Sequence, residues 1–415
     1  MLFLYNLLVH CIQVLLPLPA LFNRKLNLFV EGRKKVWNTL ETKCPASSKS
    51  IWFHAASLGE FEQGLPVITA IKSAYPNHIL VVTFFSPSGY EVRQNTTSAD
   101  VTVYLPLDTK TNAQRFIAAI HPEMVFFIKY EFWPNYLNEL LRLQIPTYLI
   151  SGIFRPNQVF FKFYGGFYRK ALRSFTHFFV QNDTSKALLQ NIGYINCTVS
   201  GDTRFDRVAS LLERDNRLDF IETFKNGTPT VVMGSTWPKD EELLISYINQ
   251  TTSNVKFIIA PHNIKAEQIA SLQTRLQKPT VLFSEKEGSD LSSCVVFIID
   301  TIGILTKIYS YADIAYVGGG FGNPGVHNVL EPATFGIPIV VGPNYSHFAE
   351  AKALVGQNGC LSIQNQTELN DAFNLLINNE DERHEKGHIC STFVQMNKGA
   401  TTTILNFITK THPIQ

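Results

Sequence analysis

The 415-residue chain is predicted to fold as two doubly wound α/β domains that face each other across a cleft. Short apolar segments typical of buried strands alternate with helical patterns, as in βαβ units around a parallel sheet. This alternation stops near residue 208 and restarts at Thr230, and the chain is too long for one ordinary core. We therefore predict domains over residues 24–210 and 226–410, after a hydrophobic segment over residues 1–23.

The N-terminal segment is largely apolar from Leu2 to Phe22, although Pro17 and Pro19 interrupt it. A spanning helix needs about 20 mainly apolar residues, so this length is marginal. No basic residue precedes the segment, which argues against a secretory signal peptide. Basic residues follow from Arg24 onwards and favour a cytoplasmic position for the body of the protein. We interpret the segment as an anchor helix that crosses or dips into a membrane; the alternative is a helix that packs on the first domain.

In the first domain, Ile51–Phe53 is predicted to end a buried strand, and residues 54–59 to form the turn before a helix that Glu60 opens. Open α/β sheets bind ligands at the carboxyl ends of their strands, so we interpret Glu60 as a general base. Glu131 follows a second predicted strand in apolar surroundings, so it is either paired or functional. Further elements are predicted at strands 79–83, 101–104, 124–128, 146–150 and 178–180 and at helices 110–120 and 135–143.

Residues 154–173 interleave basic and aromatic side chains, with Arg155 near the start. Such a stretch suits base stacking, or a membrane surface and phosphorylated lipid; the alternative is a solvated helix face over an aromatic core. The formal net charge of +2 argues against a dedicated nucleic-acid binder. We therefore favour the membrane and expect no nucleic acid as a partner.

In the second domain, polar or glycine-rich turns follow successive predicted strands, so a nucleotide or sugar site is predicted where these strands end. Hydroxyls and glycine N–H groups can bind a phosphate, and Glu331 can accept from ribose hydroxyls. Taken singly, each turn is more often a helix cap or a tight turn than a ligand site. The strands are predicted at 230–233, 258–260, 281–283, 295–299, 314–317 and 339–341, and the candidate donor-binding residues are Ser235, Thr236, Pro261, His262, Gly303, Gly319, Gly320, Asn328 and Glu331.

Several common kinds of site are not indicated by the sequence. It contains no GxSxG, Walker A or HExxH motif and no DxD pair, and its six cysteines are scattered without metal-ligand spacing. The cysteines are expected to be reduced and mostly buried in a cytosolic compartment. A metal-free transferase without a cofactor follows most naturally.

Four motifs resemble those of the 3-deoxy-D-manno-octulosonic acid (Kdo) transferases of lipopolysaccharide assembly, glycosyltransferase family 30. The resemblance covers nearly the whole chain, including the hydrophobic N-terminus. The motifs are His54-Ala-Ala-Ser-Leu-Gly-Glu60, Glu131-Phe-Trp-Pro-Asn135, Gly201-Asp-Thr-Arg-Phe-Asp206 and His327-Asn-Val-Leu-Glu-Pro332.

This resemblance implies a GT-B fold of two Rossmann-like domains, a CMP-Kdo donor and a lipid IVA acceptor. It also implies metal-independent transfer with inversion, at the cytoplasmic face of the inner membrane. Glu60 corresponds to the catalytic base of the family and Glu131 to a second acidic position of the active site. A UDP-sugar-dependent GT-B lipid glycosyltransferase and a sugar-nucleotide epimerase are the alternatives, and a non-catalytic lipid-binding protein is a third.

The chain departs from the family pattern at several positions. Pro261-His262-Asn263 stands where many relatives have Pro-Arg-His, so the arginine expected to contact CMP is missing or supplied elsewhere. Asp300-Thr-Ile-Gly-Ile304 lacks the final acid of its motif. Arg155 is expected to bind an anion from a shifted position, and Arg204 replaces a common lysine, which preserves the charge but not the geometry.

Overall fold

The structure is a computed structural model that describes residues 1–413. It divides into two compact units: unit 1 comprises Met1–Arg207 together with residues from Lys398 onwards, and unit 2 comprises Val208–Asn397. The predicted second domain, residues 226–410, is therefore wrong at its C-terminal end, because residues 398–410 belong to unit 1. Residues 208–225 belong to unit 2.

Unit 1 contains a parallel sheet of seven strands in the order β3-β2-β1-β4-β5-β6-β7. The first strand of the sequence therefore lies inside the sheet, with β2 on one side and β4 on the other. This arrangement is a doubly wound sheet with its switch point between β1 and β4. The strands are β1 Ser50–Ala55, β2 Ile79–Phe84, β3 Val101–Tyr104, β4 Pro122–Ile128, β5 Thr147–Gly152, β6 His177–Val180 and β7 Cys197–Val199.

Helices cover the sheet of unit 1 and surround its apolar strands, and α11 runs across the boundary between the units. The helices are α1 Leu2–Leu15, α2 Pro17–Ala20, α3 Arg24–Lys34, α4 Val36–Lys43, α5 Leu58–Ala74, α6 Pro87–Arg93, α7 Lys110–Ile120, α8 Pro134–Arg142, α9 Gly166–Leu172, α10 Asp183–Asn191 and α11 Thr203–Ala209. A short 3₁₀ helix spans Val159–Phe161.

Unit 2 repeats the architecture with seven parallel strands in the order β10-β11-β9-β8-β12-β13-β14. Its first strand, β8, lies between β9 and β12. The strands are β8 Thr230–Thr236, β9 Lys256–Pro261, β10 Thr280–Leu282, β11 Val296–Ile298, β12 Ile314–Val317, β13 Ile339–Val341 and β14 Cys360–Ser362.

The helices of unit 2 are α12 Asp219–Lys225, α13 Pro238–Gln250, α14 Ala266–Arg275, α15 Leu305–Ile308, α16 Leu330–Thr334, α17 Ala349–Gly356, α18 Gln366–Asn378 and α19 Glu380–Asn397. Short 3₁₀ helices lie at Ser210–Glu213, Phe283–Glu285, Leu291–Ser293 and Tyr309–Tyr311. The two seven-stranded sheets, each flanked by helices, confirm the predicted pair of doubly wound α/β folds.

The last helix, α20 Ala400–Thr411, packs on unit 1. Its Ile404 and Ile408 belong to the same buried apolar cluster as strands β1, β2 and β4. Asp206, at the end of unit 1's first segment, accepts hydrogen bonds from the backbone N–H groups of Gly399 (2.6 Å) and Thr401 (2.8 Å). Asp206 therefore caps the returning helix and joins it to unit 1.

The N-terminal segment forms α1 and α2 and belongs to unit 1. Within residues 1–413, Leu2–Ala20 is the one apolar helical stretch whose length and composition would let it cross a membrane. Val9 and Ala20 are its buried residues, whereas most of its large apolar side chains, such as Phe3 and Val14, are exposed. Asn23 caps α3 by accepting from the N–H groups of Lys25 and Leu26.

Candidate functional site

Glu60 lies in the first turn of α5, immediately beyond the carboxyl end of β1. Its side chain is half-buried, and its Oε2 atom accepts a hydrogen bond from the hydroxyl of the N-cap residue Ser57. Within residues 1–413, no arginine, lysine or histidine forms an ion pair with Glu60, and its Oε1 atom has no hydrogen-bond partner. The carboxylate is therefore held at one oxygen and free at the other.

The position of Glu60 depends on close packing of α5 against β4. Gly64 lies one turn after Glu60, and a Cβ atom at this position would lie 2.3 Å from Cδ1 of Ile128, the last residue of β4. With any larger residue, the Ile128 side chain or the helix itself would have to shift. Glycine at position 64 therefore lets the helix that carries Glu60 approach the strand that leads to Glu131.

Glu131 follows β4, and one oxygen of its carboxylate contacts both Trp133 and His54. Its Oε2 atom lies 2.9 Å from Nε1 of Trp133 and 3.3 Å from Nε2 of the fully buried His54. The Oε1 atom has no partner among residues 1–413, and 15% of the side chain is exposed. Glu131 is thus paired, with a histidine and a tryptophan, and its other oxygen is left free.

Contacts hold the ring of His54 from both sides. The indole N–H of Trp52 donates to the Thr83 hydroxyl (2.8 Å), and His54 Nδ1 lies 2.8 Å from the same hydroxyl. On the other side of the ring, His54 Nε2 lies 3.3 Å from Glu131 Oε2 and 3.1 Å from Nε1 of Trp133. His54 was expected in the turn after β1, but it lies inside this strand. From its position in β1, the His54 ring contacts the Glu131 carboxylate.

Two residues at the carboxyl edge of this sheet adopt left-handed backbone conformations that side chains other than glycine rarely adopt. Lys129, directly after β4, has φ 71°, and Ser151, in β5, has φ 52°. Such conformations cost about 1–3 kcal/mol each and tend to occur at functional sites. The edge of the sheet that carries Glu60 and Glu131 therefore also carries local strain.

The two candidate anion-binding arginines differ in their surroundings. Arg155 is exposed, and its guanidinium has no partner among residues 1–413. Arg204 forms an ion pair with Asp202 (2.8 Å), whose Oδ1 atom also accepts from Gln63 of α5 (2.9 Å). Arg204 is therefore partly neutralised, and 40% of its side chain remains exposed; Asp202 connects it to the helix of Glu60.

In unit 2, Ser235 and Thr236 lie at the end of β8 but play different roles. Ser235 occupies a bulge between β8 and β9 with φ 55°, and its hydroxyl has no partner among residues 1–413. Thr236 is buried, and its hydroxyl donates to Glu241 (3.0 Å). The Thr236 hydroxyl is thus occupied by the protein, and Ser235 is the better candidate to bind a phosphate.

Three aromatic rings stack beside this bulge. His262 follows Pro261 at the end of β9, and its ring lies 4.6 Å from Trp237 and 4.5 Å from His327. Trp237 Nε1 donates to His327 Nε2 (2.8 Å), so His327 carries its proton on Nδ1. Burial and the neighbouring His262 lower the pKa of His327, which keeps this ring neutral. The Nδ1–H donor has no partner among the described residues.

The glycine-rich loop after β12 is explained mainly by close packing of backbones. The N–H of Gly319 donates to the fully buried Asp240 (2.8 Å), so it is not free for a ligand anion, and the expectation for this N–H is wrong. A Cβ atom at Gly318 would lie 2.3 Å from the Ser235 carbonyl oxygen, and one at Gly320 would lie 2.6 Å from Gly342. The glycines therefore bring β8, β12 and β13 together at one edge.

Asn328 and Glu331 form a polar pair at the start of α16. Asn328 is exposed; its Oδ1 accepts from the Leu330 N–H (3.1 Å) and its Nδ2 donates to Glu331 (3.0 Å). Glu331 also accepts from Thr306 (3.0 Å). Both side chains thus have structural partners. The N-cap residue of α16 is Val329, and Asn328, one residue earlier, accepts from the first N–H of the helix.

The loop after β11 is open to solvent. Gly303 has φ 92°, and no atom lies within 4 Å of the point that a Cβ atom would occupy there. The adjacent Ile302 is 84% exposed. Asp300 accepts from Ser284 instead of capping the following helix, whose N-cap is Ile304. The left-handed conformation explains the glycine, and the structure contains no contact of Gly303 that indicates a ligand.

Sequence reasoning did not identify His54, Asp240 or Asp108 as members of this arrangement. All three are buried: His54 lies in β1, Asp240 in the first turn of α13 and Asp108 in the loop before α7. Most of their partners are distant in sequence: Tyr316 and Gly319 donate to Asp240, and Asn135 and Tyr136 donate to Asp108. The polar residues at successive strand ends indicated which edge of the sheet carries the site. They did not indicate these three buried residues. Among residues 1–413, no group of three or more His, Cys, Asp or Glu side chains is arranged to hold a metal ion.

Comparison of the sequence with known proteins identifies one family. Residues 31–207 match the family profile described as "3-Deoxy-D-manno-octulosonic-acid transferase (kdotransferase)". The chain is 30% identical to the 3-deoxy-D-manno-octulosonic acid transferase of Chlamydia trachomatis serovar A over 352 residues, which cover 81% of this chain and 80% of the relative. It is 26% identical to that of Aquifex aeolicus, over 77% of this chain and 84% of the relative.

Comparison of the structure with solved structures shows the fold. UDP-GlcNAc 2-epimerase from Neisseria meningitidis aligns with a TM-score of 0.60 and 14% identity, over 87% of this chain and all of the other. MurG from Acinetobacter baumannii aligns with a TM-score of 0.54 and 14% identity, over 88% and 99%. The two Rossmann-like units are those of a GT-B fold. Together with the sequence matches over four-fifths of its length, this places the chain in the family of Kdo transferases of lipopolysaccharide biosynthesis.

Proposed function

We propose that this chain transfers Kdo from CMP-Kdo to a sugar hydroxyl of lipid IVA, with Glu60 as the general base. The acceptor oxygen attacks C2 of Kdo, and the bond between C2 and the phosphate oxygen breaks. The electron pair of that bond leaves with CMP, and Glu60 takes the hydroxyl proton. A direct displacement of this kind inverts the configuration at C2. Membership of the Kdo transferase family supports the identification of Kdo as the transferred group.

The observation that carries the role of Glu60 is its free carboxylate oxygen at the carboxyl end of β1. A general base must be ionised and must have an oxygen available for the proton. Glu60 has no cationic partner among the described residues, and Ser57 holds only its Oε2 atom. By contrast, Glu62, two residues later, is paired with Arg93 and Arg207 and therefore suits a structural role.

We assign the second acidic position to Glu131 and the donor to unit 2. Glu131 keeps Oε1 free while His54 and Trp133 hold Oε2, so it can accept a hydrogen bond from a substrate hydroxyl. In unit 2, the Ser235 hydroxyl and the Nδ1–H of His327 are unpartnered donors near one strand end, and they suit the phosphate of CMP. Arg155, which has a free guanidinium, is assigned to an anionic group of donor or acceptor.

We also propose that unit 1 contacts the cytoplasmic face of the inner membrane. The exposed apolar residues of α1 and α2 lie in the same unit as Phe163 (94% exposed) and Tyr164 (62% exposed). The ring of Phe167 lies 6.0 Å from that of Tyr5, which brings the basic aromatic segment next to α1. Exposed apolar and aromatic side chains with nearby lysine and arginine are typical of interfacial segments.

The test is to incubate the purified full-length protein with CMP-Kdo and lipid IVA and to weigh the lipid product. Glu60→Gln is expected to lower kcat by about 10²–10⁴-fold, because general-base assistance contributes about that much. Binding of CMP, measured as thermal protection, is expected to be unchanged. Glu41→Gln, at an exposed glutamate of unit 1, is the matched control. Near-normal turnover of Glu60→Gln would remove Glu60 from this role, and protection by UDP instead of CMP would point to a different donor.

A further inference from the structure

The loop that carries Glu131 ends at the N-terminus of α8, and a buried carboxylate caps this helix. Asp108 is 1% exposed. Its Oδ2 atom accepts from the backbone N–H of Asn135 (3.1 Å) and its Oδ1 atom from that of Tyr136 (3.0 Å). These N–H groups belong to the first turn of α8, where no earlier carbonyl can accept from them. Asp108 therefore determines where the loop of residues 131–133 joins the helix.

The N-terminal helix α1 completes this cap. The hydroxyl of Tyr5 donates to Asp108 Oδ2 (2.7 Å), and the Asn135 side chain donates to Asn6 Oδ1 (2.8 Å). A helix that only anchored the protein in lipid would not need polar contacts with the body of the protein. These two contacts connect adjacent residues of α1 to Asp108, which caps α8 from the loop before α7, and to Asn135 in the first turn of α8.

The contacts continue to the carboxylate itself. Trp133 is the N-cap residue of α8, and its indole N–H donates to Glu131 Oε2 (2.9 Å). A shift of the first turn of α8 would move Trp133 and with it the Glu131 side chain. A displacement of about 1 Å can lower the rate about 10²-fold even when it originates far from the reacting atoms. A shift of α8 that reaches Glu131 is therefore large enough to affect catalysis.

We propose that Tyr5 and Asp108 are positioning residues for Glu131, so that the N-terminal helix is part of the active-site support as well as the membrane contact. The inference rests on the catalytic role proposed for Glu131. It makes catalysis depend on how α1 packs against unit 1, independently of whether the enzyme is on a membrane.

The test uses Tyr5→Phe, which removes one hydroxyl and keeps the ring. Transfer is measured in detergent micelles, so that recruitment to a membrane does not limit the rate. We expect kcat to fall about tenfold with an unchanged KM for CMP-Kdo, because the donor site is in unit 2. Co-sedimentation with vesicles of phosphatidylethanolamine and phosphatidylglycerol should be unchanged. Tyr90→Phe is the matched control, because the Tyr90 hydroxyl has no hydrogen-bond partner among residues 1–413.

A double-mutant cycle with Glu131→Gln separates positioning from general damage to the fold. If Tyr5 acts through Glu131, Tyr5→Phe should cost little in the Glu131→Gln background. An undiminished tenfold loss in that background, or a normal kcat of Tyr5→Phe alone, would overturn the inference. Asn6→Leu, which breaks the contact with Asn135, is the second variant and should show the same dependence on Glu131. Full activity of Glu131→Gln would instead contradict the proposed role of Glu131 itself, on which the inference depends.

Discussion

At the residue scale, unpartnered polar atoms distinguish the candidate ligand-binding residues from their neighbours. Ser235 and Thr236 are adjacent hydroxyls, yet Thr236 donates to Glu241 and Ser235 has no partner among residues 1–413. Glu60 and Glu62 differ in the same way, since Glu62 is occupied by two arginines. A motif predicts where a site lies in the fold. The hydrogen bonds then show which side chain has a polar atom available for a ligand.

Removal of the Ser235 hydroxyl is expected to weaken donor binding. A hydrogen bond to a charged group contributes about 1.5–3 kcal/mol, so Ser235→Ala should raise the KM for CMP-Kdo by about ten- to a hundredfold while kcat changes less. Because φ at this position is 55°, Ser235→Gly is measured as well, since glycine adopts this conformation without strain.

If Ser235→Gly binds the donor normally, the Ser235→Ala effect comes from the backbone and not from the lost hydroxyl. Ser271→Ala, at an exposed serine on α14, is the matched control and should leave KM unchanged.

The residues found by sequence reasoning and those missed differ in a physical way. Glu60 was predictable because a strand, a turn and a helix start are local patterns, and the carboxyl end of a strand is a known ligand position. His54 was missed because its role depends on Thr83 and Glu131, which are 29 and 77 residues away in sequence. No local pattern encodes such partners.

At the element scale, apolar elements were predicted well, and two strands were missed. The helix predicted over 110–120 is α7 Lys110–Ile120, and the strand predicted over 101–104 is β3. The missed strands, β7 and β14, have three residues each and lie at one edge of each sheet. Each buries only its first residue, so neither forms an apolar run, whereas β3 and β10, at the opposite edges, are mostly buried and were predicted.

The cap of α20 provides a test of how this helix is attached. Asp206→Ala removes the acceptor for the N–H groups of Gly399 and Thr401 and for the Thr401 hydroxyl. Loss of a cap costs about 1–2 kcal/mol, which for a unit of about 200 residues lowers Tm by about 2–8 °C.

Thermal unfolding measures this effect, and limited proteolysis should release α20 earlier in the variant. Asp381→Ala, at an exposed aspartate in the first turn of α19, is the matched control. An unchanged Tm and unchanged proteolysis for Asp206→Ala would show that apolar packing alone holds the helix.

At the scale of the whole molecule, the sequence predicted two similar α/β units but assigned the C-terminal helix to the wrong one. The amphipathic pattern of residues 400–411 indicates that one face of the helix is buried, but it does not indicate which of the two sheets this face packs against. The structure places Ile404 and Ile408 in the apolar cluster of unit 1. This assignment depends on contacts with residues more than 190 positions earlier, such as Asp206.

The membrane contact of unit 1 is tested by replacing one exposed aromatic residue. Burial of a phenylalanine side chain contributes about 1.5–3 kcal/mol, so Phe163→Ser should weaken binding to anionic vesicles by about tenfold or more. Vesicle flotation measures the binding. Ile195→Ser, at an 82% exposed residue of the same unit, is the matched control. Equal binding of both variants would exclude the segment around Phe163 from the membrane contact.

The attachment of α20 also affects how the protein folds during synthesis. The apolar cluster of unit 1 includes Ile404 and Ile408, which are translated only after the whole of unit 2. Unit 2 can therefore bury all of its own strands while unit 1 still lacks one covering helix. The half of the enzyme that carries Glu60 starts to be translated before unit 2 and is completed only after it.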